Sequence, residues 1–458
     1  MPAEEVGLMT SARQAVDGTA SGDASARPTS TRPTSTPSTS AQADGGRRAV
    51  RGGALGNYVD QFDIMLPVVT MTPVADQVFG AQHVVAATGW VFVATLLGRP
   101  LGAVVLGPLA DRLGRTATTQ VALAGIALTT ALVAVVPDHR VLGAGTIALV
   151  VLLRFLGGVF VGGEYSAAIP LAMEWSAPRR RGALSGLVMA MSPWANATIS
   201  AVVLLLTSVL PGGAYAAWGW RVPFVVGALL AGALSLYYRS LVPESDSWRA
   251  AAPRTRPLRE VLVGSHRRAL WQVFVLMSGL WLLTQMAVPT LTAQLRAGGH
   301  LDARQLSFTL LVATAGSAVA MHLAGGASTR LGRRRFFLGF AAVVVVAAPL
   351  TWAGVLAARG LVTVAVLALV LQVVTVTGYA PVGAYLAERF PAGVRASGYG
   401  VGYSLSLVVP ALYPLWLPVL QRTVGAGAAV PAVLVLGGLL LGVAAWWGPE
   451  PDVDAPLA

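Results

Sequence analysis

The sequence predicts an all-α integral membrane chain, with twelve transmembrane helices in two pseudo-symmetric six-helix bundles. Three observations predict it. The 458 residues are 55% hydrophobic and only 11% charged, against about 25% charged in a soluble domain. The apolar residues fall in blocks long enough to cross a hydrocarbon core, which takes about 20 residues as a helix. A charged phrase between two such blocks occurs twice. Gly107–Arg115 reads GPLADRLGR and Gly325–Arg334 reads GGASTRLGRR, an offset of about 218 residues. One such hairpin per half is the mark of an internally repeated membrane fold.

Residues 1–54 are rich in Ser, Thr, Pro, Ala and Gly and read as a disordered cytoplasmic tail, since such a segment buries too little to offset its ordering entropy. Glu4 and Glu5 stand where a signal peptide has basic residues. The apolar spans follow at 55–79, 84–109, 117–137, 142–172, 183–210 and 220–242, then 269–294, 304–327, 335–356, 361–387, 397–421 and 427–447. Their length excludes membrane strands, which are short and alternate. Helices satisfy their own backbone in lipid. The organisation is therefore an N-terminal half (55–242), a cytoplasmic linker (243–268), a C-terminal half (269–447) and a short cytoplasmic tail (448–458).

Arginine placement sets the orientation. One set of loops holds Arg112 and Arg115, then Arg179, Arg180 and Arg181, then Arg249, Arg254, Arg256, Arg259, Arg267 and Arg268. The same set continues with Arg330, Arg333, Arg334 and Arg335, then Arg389 and Arg395. The alternate loops hold Asp76 and His83, Asp138 with Arg140, Arg296 and Arg304, Arg359 and Arg422. The first set is cytoplasmic and both termini lie inside. A second echo supports duplication: Glu174–Gly182 (EWSAPRRRG) and Glu388–Gly398 (ERFPAGVRASG) each place an acid seven residues before an Arg, with a Pro between.

Several classes are excluded. The net charge of +12 sits in short interhelical loops, not in a patch for nucleic acid. There is no Cys, no His pair at metal spacing and no nucleophile–base pair, so no metal, cofactor or enzymatic activity is expected. A monomer in a cell membrane is expected, with a small molecule and protons as its partners.

Ionisable groups inside a membrane cost about 2.5–3.5 kcal/mol each at mid-helix, so those present have partners or tasks. The first half holds Asp60, Asp63, Arg99, Arg154 and Glu164. Asp60 and Asp63, three residues apart, share a helix face. Three acids against two bases leave one acid without a full partner, and a carboxylate buried beside another holds its proton to higher pH. Asp60, Asp63 and Glu164 are the proton-coupling candidates, with Asp63 and Glu164 preferred. The other reading, an ion pair that locks helices, stays open. Arg99 and Arg154 are candidates for a substrate carboxylate, which guanidinium grips bidentately. Neutralisation of Glu164 by Arg154 is the alternative. Tyr165, Asn196, Gln285 and Tyr379 are further cavity candidates, alongside Trp194, Gln372 and Tyr403, with His322 as a minor proton-relay candidate.

These residues resemble the major facilitator superfamily, in which GPLADRLGR is similar to the signature between the second and third helices. Three passages resemble its metabolite:proton symporter branch, whose members carry citrate, ketoglutarate, shikimate, proline or betaine. They are GNYVDQFD at 56–63, RPLGAVVLG at 99–107 and RFLGGVFVGGEY at 154–165. The departures are Gln61 in place of the branch's Trp, Asp60 in place of Glu and Thr329 in place of the second signature's acid. The resemblance implies alternating access, with Asp111 holding the cytoplasmic side closed against the eleventh helix. Arg112, Arg115, Arg330, Arg333, Glu174, Arg181, Glu388 and Arg395 join it as gating candidates. The expected function is proton-coupled symport of a small organic acid or zwitterion. The alternatives are export of a drug or secondary metabolite by proton antiport, and a transport-deficient nutrient sensor.

Overall fold

The computed structural model describes residues 39–457 apart from 81–83, 212, 251–255, 299–300 and 302. Glu4, Glu5, His83 and Arg254 lie outside the described residues. Among the described residues there is no strand. The first half comprises α1 (Thr39–Met71), α2 (Val84–Leu113), α3 (Arg115–Ala134), α4 (Gly145–Glu174), α5 (Arg181–Val209) and α6 (Val222–Leu241). The second half begins with α7 (Arg267–Gln285), prolonged through a π-turn at Met286–Thr290 into Leu291–Ala297. It continues with α8 (Ala303–Leu331), α9 (Arg333–Ala357) and α10 (Leu361–Val376), which resumes at Val382–Arg389. The last two are α11, built from Arg395–Leu405, Val408–Ala411 and Tyr413–Val424, and α12 (Ala426–Trp447).

Ten of these are long and apolar enough to cross a bilayer, and α11 is an eleventh when its two pieces, bent by 50°, count as one span. The twelfth, α1, is more polar because it carries Asn57, Asp60, Gln61 and Asp63, all buried against the bundle.

The packing repeats. Within the first half α2 lies on α4, and α3 on α4 and α6; within the second α8 lies on α10, and α9 on α10 and α12. The halves meet through α2 against α11 and α5 against α8, which are the same contact when helix numbers advance by six. The repeated Leu-Gly-Arg phrase makes the same turn twice: Gly114 and Gly332 have φ of 110° and 90°, where a side chain is strained. Between α2 and α4 the backbones nearly touch: a Cβ on Gly102 would strike the Val159 carbonyl, and one on Gly162 the Arg99 carbonyl.

Two expectations are corrected. The first helix starts at Thr39, not 55. Composition suggested disorder there, but tertiary packing overrides it: Gly45 fits against Pro243, and Gly46 against Trp175. Helices seven, ten and eleven are not continuous, and each interruption sits beside a proline: Pro289 in the π-turn, Pro381 after the 3₁₀ turn Thr377–Tyr379, and Pro410 and Pro414 flanking the bend of α11. Proline withdraws a backbone donor and clashes with the preceding turn.

The linker carries two short helices, Asp246–Ala250 and Pro257–Leu262, and Trp248 Nε1 donates to the Asp111 carbonyl at 3.0 Å. The C-terminal segment crosses the same Arg-rich end. Glu450 accepts from the Arg334 amide at 3.1 Å in the second half. Four residues on, Asp454 accepts from Arg179 Nε at 2.6 Å, and the Ala455 carbonyl from Arg181 Nη1 at 2.8 Å, both arginines belonging to the first half.

Candidate functional site

The five buried charges of the first half separate into two groups. α1 and α4 run antiparallel, so Asp63 meets Arg154, and ten residues further along α4, roughly 15 Å at 1.5 Å per residue, Glu164 meets α1 at Gly56. Arg154 holds both oxygens of the Asp63 carboxyl, and its Nη2 also donates to the Asp63 carbonyl at 2.9 Å. Thr130 donates to the same carboxyl. This pair is complete and fully buried. In this state Asp63 and Arg154, candidates for proton and substrate respectively, are engaged with each other.

The second group is incomplete. Asp60 and Glu164 are wholly buried and interact directly, yet no nitrogen or hydroxyl donor reaches any of their four oxygens. Two carboxylates are acceptors only, so a hydrogen bond between them requires a proton that they share. The nearby cation that both feel is Arg99. One proton on the pair brings the three residues to neutrality.

Arg99 is itself 1% exposed, and its Nε and Nη2 have no hydrogen-bond partner. It lies among aromatic rings, 5.4 Å from the centroids of Tyr165 and Tyr403 and 5.7 Å from Trp281. Tyr165 and Tyr403 stack at 4.1 Å, Trp281 meets Tyr379 edge-on at 5.4 Å, and Trp281 Nε1 donates to the Tyr403 carbonyl at 3.1 Å. Tyr399 completes the cluster, 5.9 Å from Tyr165. Arg99 and Tyr165 come from the first half, and Trp281, Tyr379, Tyr399 and Tyr403 from the second. The site therefore straddles the seam, at the level where α7, α10 and α11 are interrupted.

The remaining candidates are not among these rings. Gln285 donates to the Pro410 carbonyl at 3.5 Å, Asn196 is half-buried on α5, Trp194 is 41% exposed and His322 is exposed on α8. Sequence reasoning did not single out Trp281 or Tyr399. Each is an aromatic in an apolar helix, without a local signal to separate it from a packing residue.

The gating candidates gather at the Arg-rich end. Asp111 accepts from the amides of Ala396 and Ser397, both at 2.9 Å, and from Ser397 Oγ at 2.6 Å. A carboxylate is thus seated on the N-terminus of α11, where the helix dipole favours it. Glu174 pairs with both Arg115 and Arg395, and Arg115 also donates to the Ala392 carbonyl at 2.8 Å. Arg333 pairs with Glu388 at 3.2 Å and bonds Ser328 and Thr329 at 2.7 and 3.1 Å, so two hydroxyls stand where the first copy has an acid. Arg181 holds the C-terminal segment, and Arg112 and Arg330 are exposed.

The chain is similar to known proteins in sequence and fold. A model of the Major Facilitator Superfamily matches residues 54–414. The Inner membrane metabolite transport protein YhjE of Escherichia coli is 27% identical over 84% of this chain and 90% of its own length. The alpha-ketoglutarate permease of Escherichia coli is 28% identical over 78% of this chain and 83% of its own. The structure of the proton:xylose symporter XylE superposes with a TM-score of 0.70, at 15% identity, over 88% of this chain and 94% of that one. The chain thus belongs to the major facilitator superfamily, as a multi-pass membrane transporter and not an enzyme.

Proposed function

We propose that this transporter is a proton-coupled symporter of a small carboxylate-bearing metabolite, an organic acid or a zwitterion, working by alternating access from a site around Arg99. The observation that carries the reading is a buried Arg99 with unmet donors, beside two carboxyls that have no donors of their own. The Arg-rich end is the cytoplasmic side, closed here by Asp111, Arg115, Glu174 and Arg395. A substrate carboxylate docks on Arg99, which offers a planar, two-pronged donor face. Once Arg99 is engaged, Asp60 and Glu164 lose their counter-charge, and a second proton restores neutrality. A monocarboxylate and a proton therefore load together, because either alone leaves an unbalanced charge in lipid. The surrounding rings exclude water and accept an alkylammonium group face-on, which accommodates a zwitterion. A monocarboxylate carried with one proton moves no net charge, so its accumulation is driven by the pH gradient and not by the membrane potential.

Uptake of labelled ketoglutarate, citrate, shikimate, proline and betaine into proteoliposomes tests this. An acid-outside gradient is expected to drive accumulation of at least one, a protonophore to abolish it, and Asp60→Asn or Glu164→Gln to leave only downhill flux. Uptake that ignores the gradient, or a panel that is wholly inert, overturns the reading.

A further inference from the structure

Asp60 has a regular neighbourhood along α1. Positions 48, 52, 56 and 60 lie four residues apart, so they stack on one face, about 6 Å per step. Asp60 meets Glu164 of α4. At Gly56 the absent side chain makes room for the Glu164 carboxyl. At Gly52 it makes room for the phenol of Tyr238, from α6, whose hydroxyl and Cζ would both lie 2.9 Å from a Cβ there. At Arg48, one turn further, α1 is exposed. Tyr238 is 0% exposed, and its hydroxyl has no hydrogen-bond partner. It interacts electrostatically with both Glu164 and Asp60. Its neighbour Tyr237 is differently placed, donating to the Arg48 carbonyl at 3.1 Å on the exposed side.

A buried hydroxyl left unbonded costs about 1–3 kcal/mol, and phenylalanine would fill the same space without that cost. The two glycines that admit Glu164 and Tyr238 lie on the same stripe, and each would clash if it carried a Cβ. The stripe leads from the carboxyl pair to the Arg-rich surface wholly inside the first half, between α1, α4 and α6. It bypasses the seam where Arg99 and the gate lie.

We infer that Tyr238 is the proton relay of this transporter, giving the proton a route to the Arg-rich face separate from the path of the substrate. The inference rests on the reading that the Asp60–Glu164 pair carries the proton. The step balances without any redox partner. Glu164 gives its proton, directly or through one water, to the Tyr238 oxygen; the phenol's own proton passes to water at the Arg48 level; the tyrosine is neutral before and after. Glu164 and Tyr238 lie against glycines one helical turn apart on α1, and the relay places one bridging water between them. The groups facing this route are Asp60 and Asp63 of α1, Arg99 of α2, Glu164 of α4, and Tyr237 and Tyr238 of α6. Asp63 is held by Arg154, and Arg99 lies on the seam side of the pair.

A pH-jump infrared measurement on the purified protein in lipid tests this without a substrate. The carboxylic-acid carbonyl band is followed after a rise in pH. The wild-type band is expected to decay, and the Asp60→Asn/Glu164→Gln double variant to lack that component. Tyr238→Phe keeps the ring on Gly52 and should retain the band at equilibrium, with its decay slowed on the order of tenfold or more. Gly52→Ala, which displaces the phenol without removing its hydroxyl, should slow it as well. A Tyr238→Phe band that decays at the wild-type rate overturns the relay and leaves the carboxyl pair standing. A band unchanged in the double variant overturns the pair, and the relay with it.

Discussion

Arg154 and Arg99 show how the same side chain does opposite work in one half of a bundle. Arg154 is paired: its contacts to Asp63, whose carboxyl also accepts from Thr130, close a neutral unit. Removing one partner exposes what the unit balances. Arg154→Leu should destabilise the protein by about 3–5 kcal/mol, because a buried carboxylate is left alone. Adding Asp63→Leu should recover most of that loss. Thermal melting of both variants in one detergent checks it, and a double variant no better than Arg154→Leu would refute the pairing account. Arg99 has unmet donors, so its replacement should behave differently. Arg99→Gln removes the counter-charge of the Asp60–Glu164 pair, which can take a second proton in compensation, so it is expected to lower the melting temperature less than Arg154→Leu does while removing transport of any carboxylate the proteoliposome panel identifies. A loss of folding as large as that of Arg154→Leu would place Arg99 among the structural pairs instead.

This division was half legible in the sequence. Five charges in apolar runs are conspicuous, and the excess of one acid is plain arithmetic. Which acid meets which base was not legible. That depends on the antiparallel register of α1 and α4, set by glycine contacts spread over both helices. Trp281, Tyr399 and Tyr238 were hidden for the related reason that each acquires its meaning from a partner on another helix. Tyr379 and Tyr165 were singled out, but only as two of several polar or aromatic residues.

At the level of elements, close approach also fixes the register of α2 on α4. The α2–α4 contact is made of backbone against backbone, so it tolerates no added atom. Gly102→Ala would press a methyl into the Val159 carbonyl. A cost of about 1–3 kcal/mol is expected from overpacking. Gly339 on α9 is a contrast within the same protein, since nothing lies within 4 Å of a Cβ there. Gly339→Ala should be neutral or stabilising by up to about 1 kcal/mol, through helix propensity alone. Equal melting shifts for the two variants would show that the close approach does not hold the register. Span number and order were readable from hydropathy. The breaks in α7, α10 and α11 were not, because a proline in a membrane helix marks a kink only when its neighbours accommodate the freed carbonyl.

For the whole molecule, the contacts that join the halves at the Arg-rich end are the proposed gate. Asp111 accepts three hydrogen bonds from the start of α11, and losing its charge should favour separation of the halves at the Arg-rich end. The chain has no Cys, so a single introduced thiol reports without background. Ala110→Cys lies in a fully buried cluster with Ala167 and Ala396. It should resist maleimide in an otherwise wild-type chain and react once Asp111→Asn is added. Unchanged reactivity would argue against Asp111 as the closing contact. The echo of the signature phrase marked the two turns from which Asp111 and Arg333 make their contacts. Its asymmetry, with Ser328 and Thr329 doing for Arg333 part of what an acid would do, follows from contacts that the bare substitution did not reveal.

The segment 448–457 is bonded to the second half through Glu450 and to the first through Asp454 and Ala455. The hydrogen bond from Arg179 holds the Asp454 carboxyl below its ordinary range. This tie is thus in place above the carboxyl's ordinary pKa and is lost only as pH falls through the lowered value. At neutral pH, any rocking that parts the Arg-rich ends must tear a staple. A tag or reporter fused close behind Asp454 can disturb that tie, so turnover measured on such a fusion would describe a chain whose halves are joined differently from the native one.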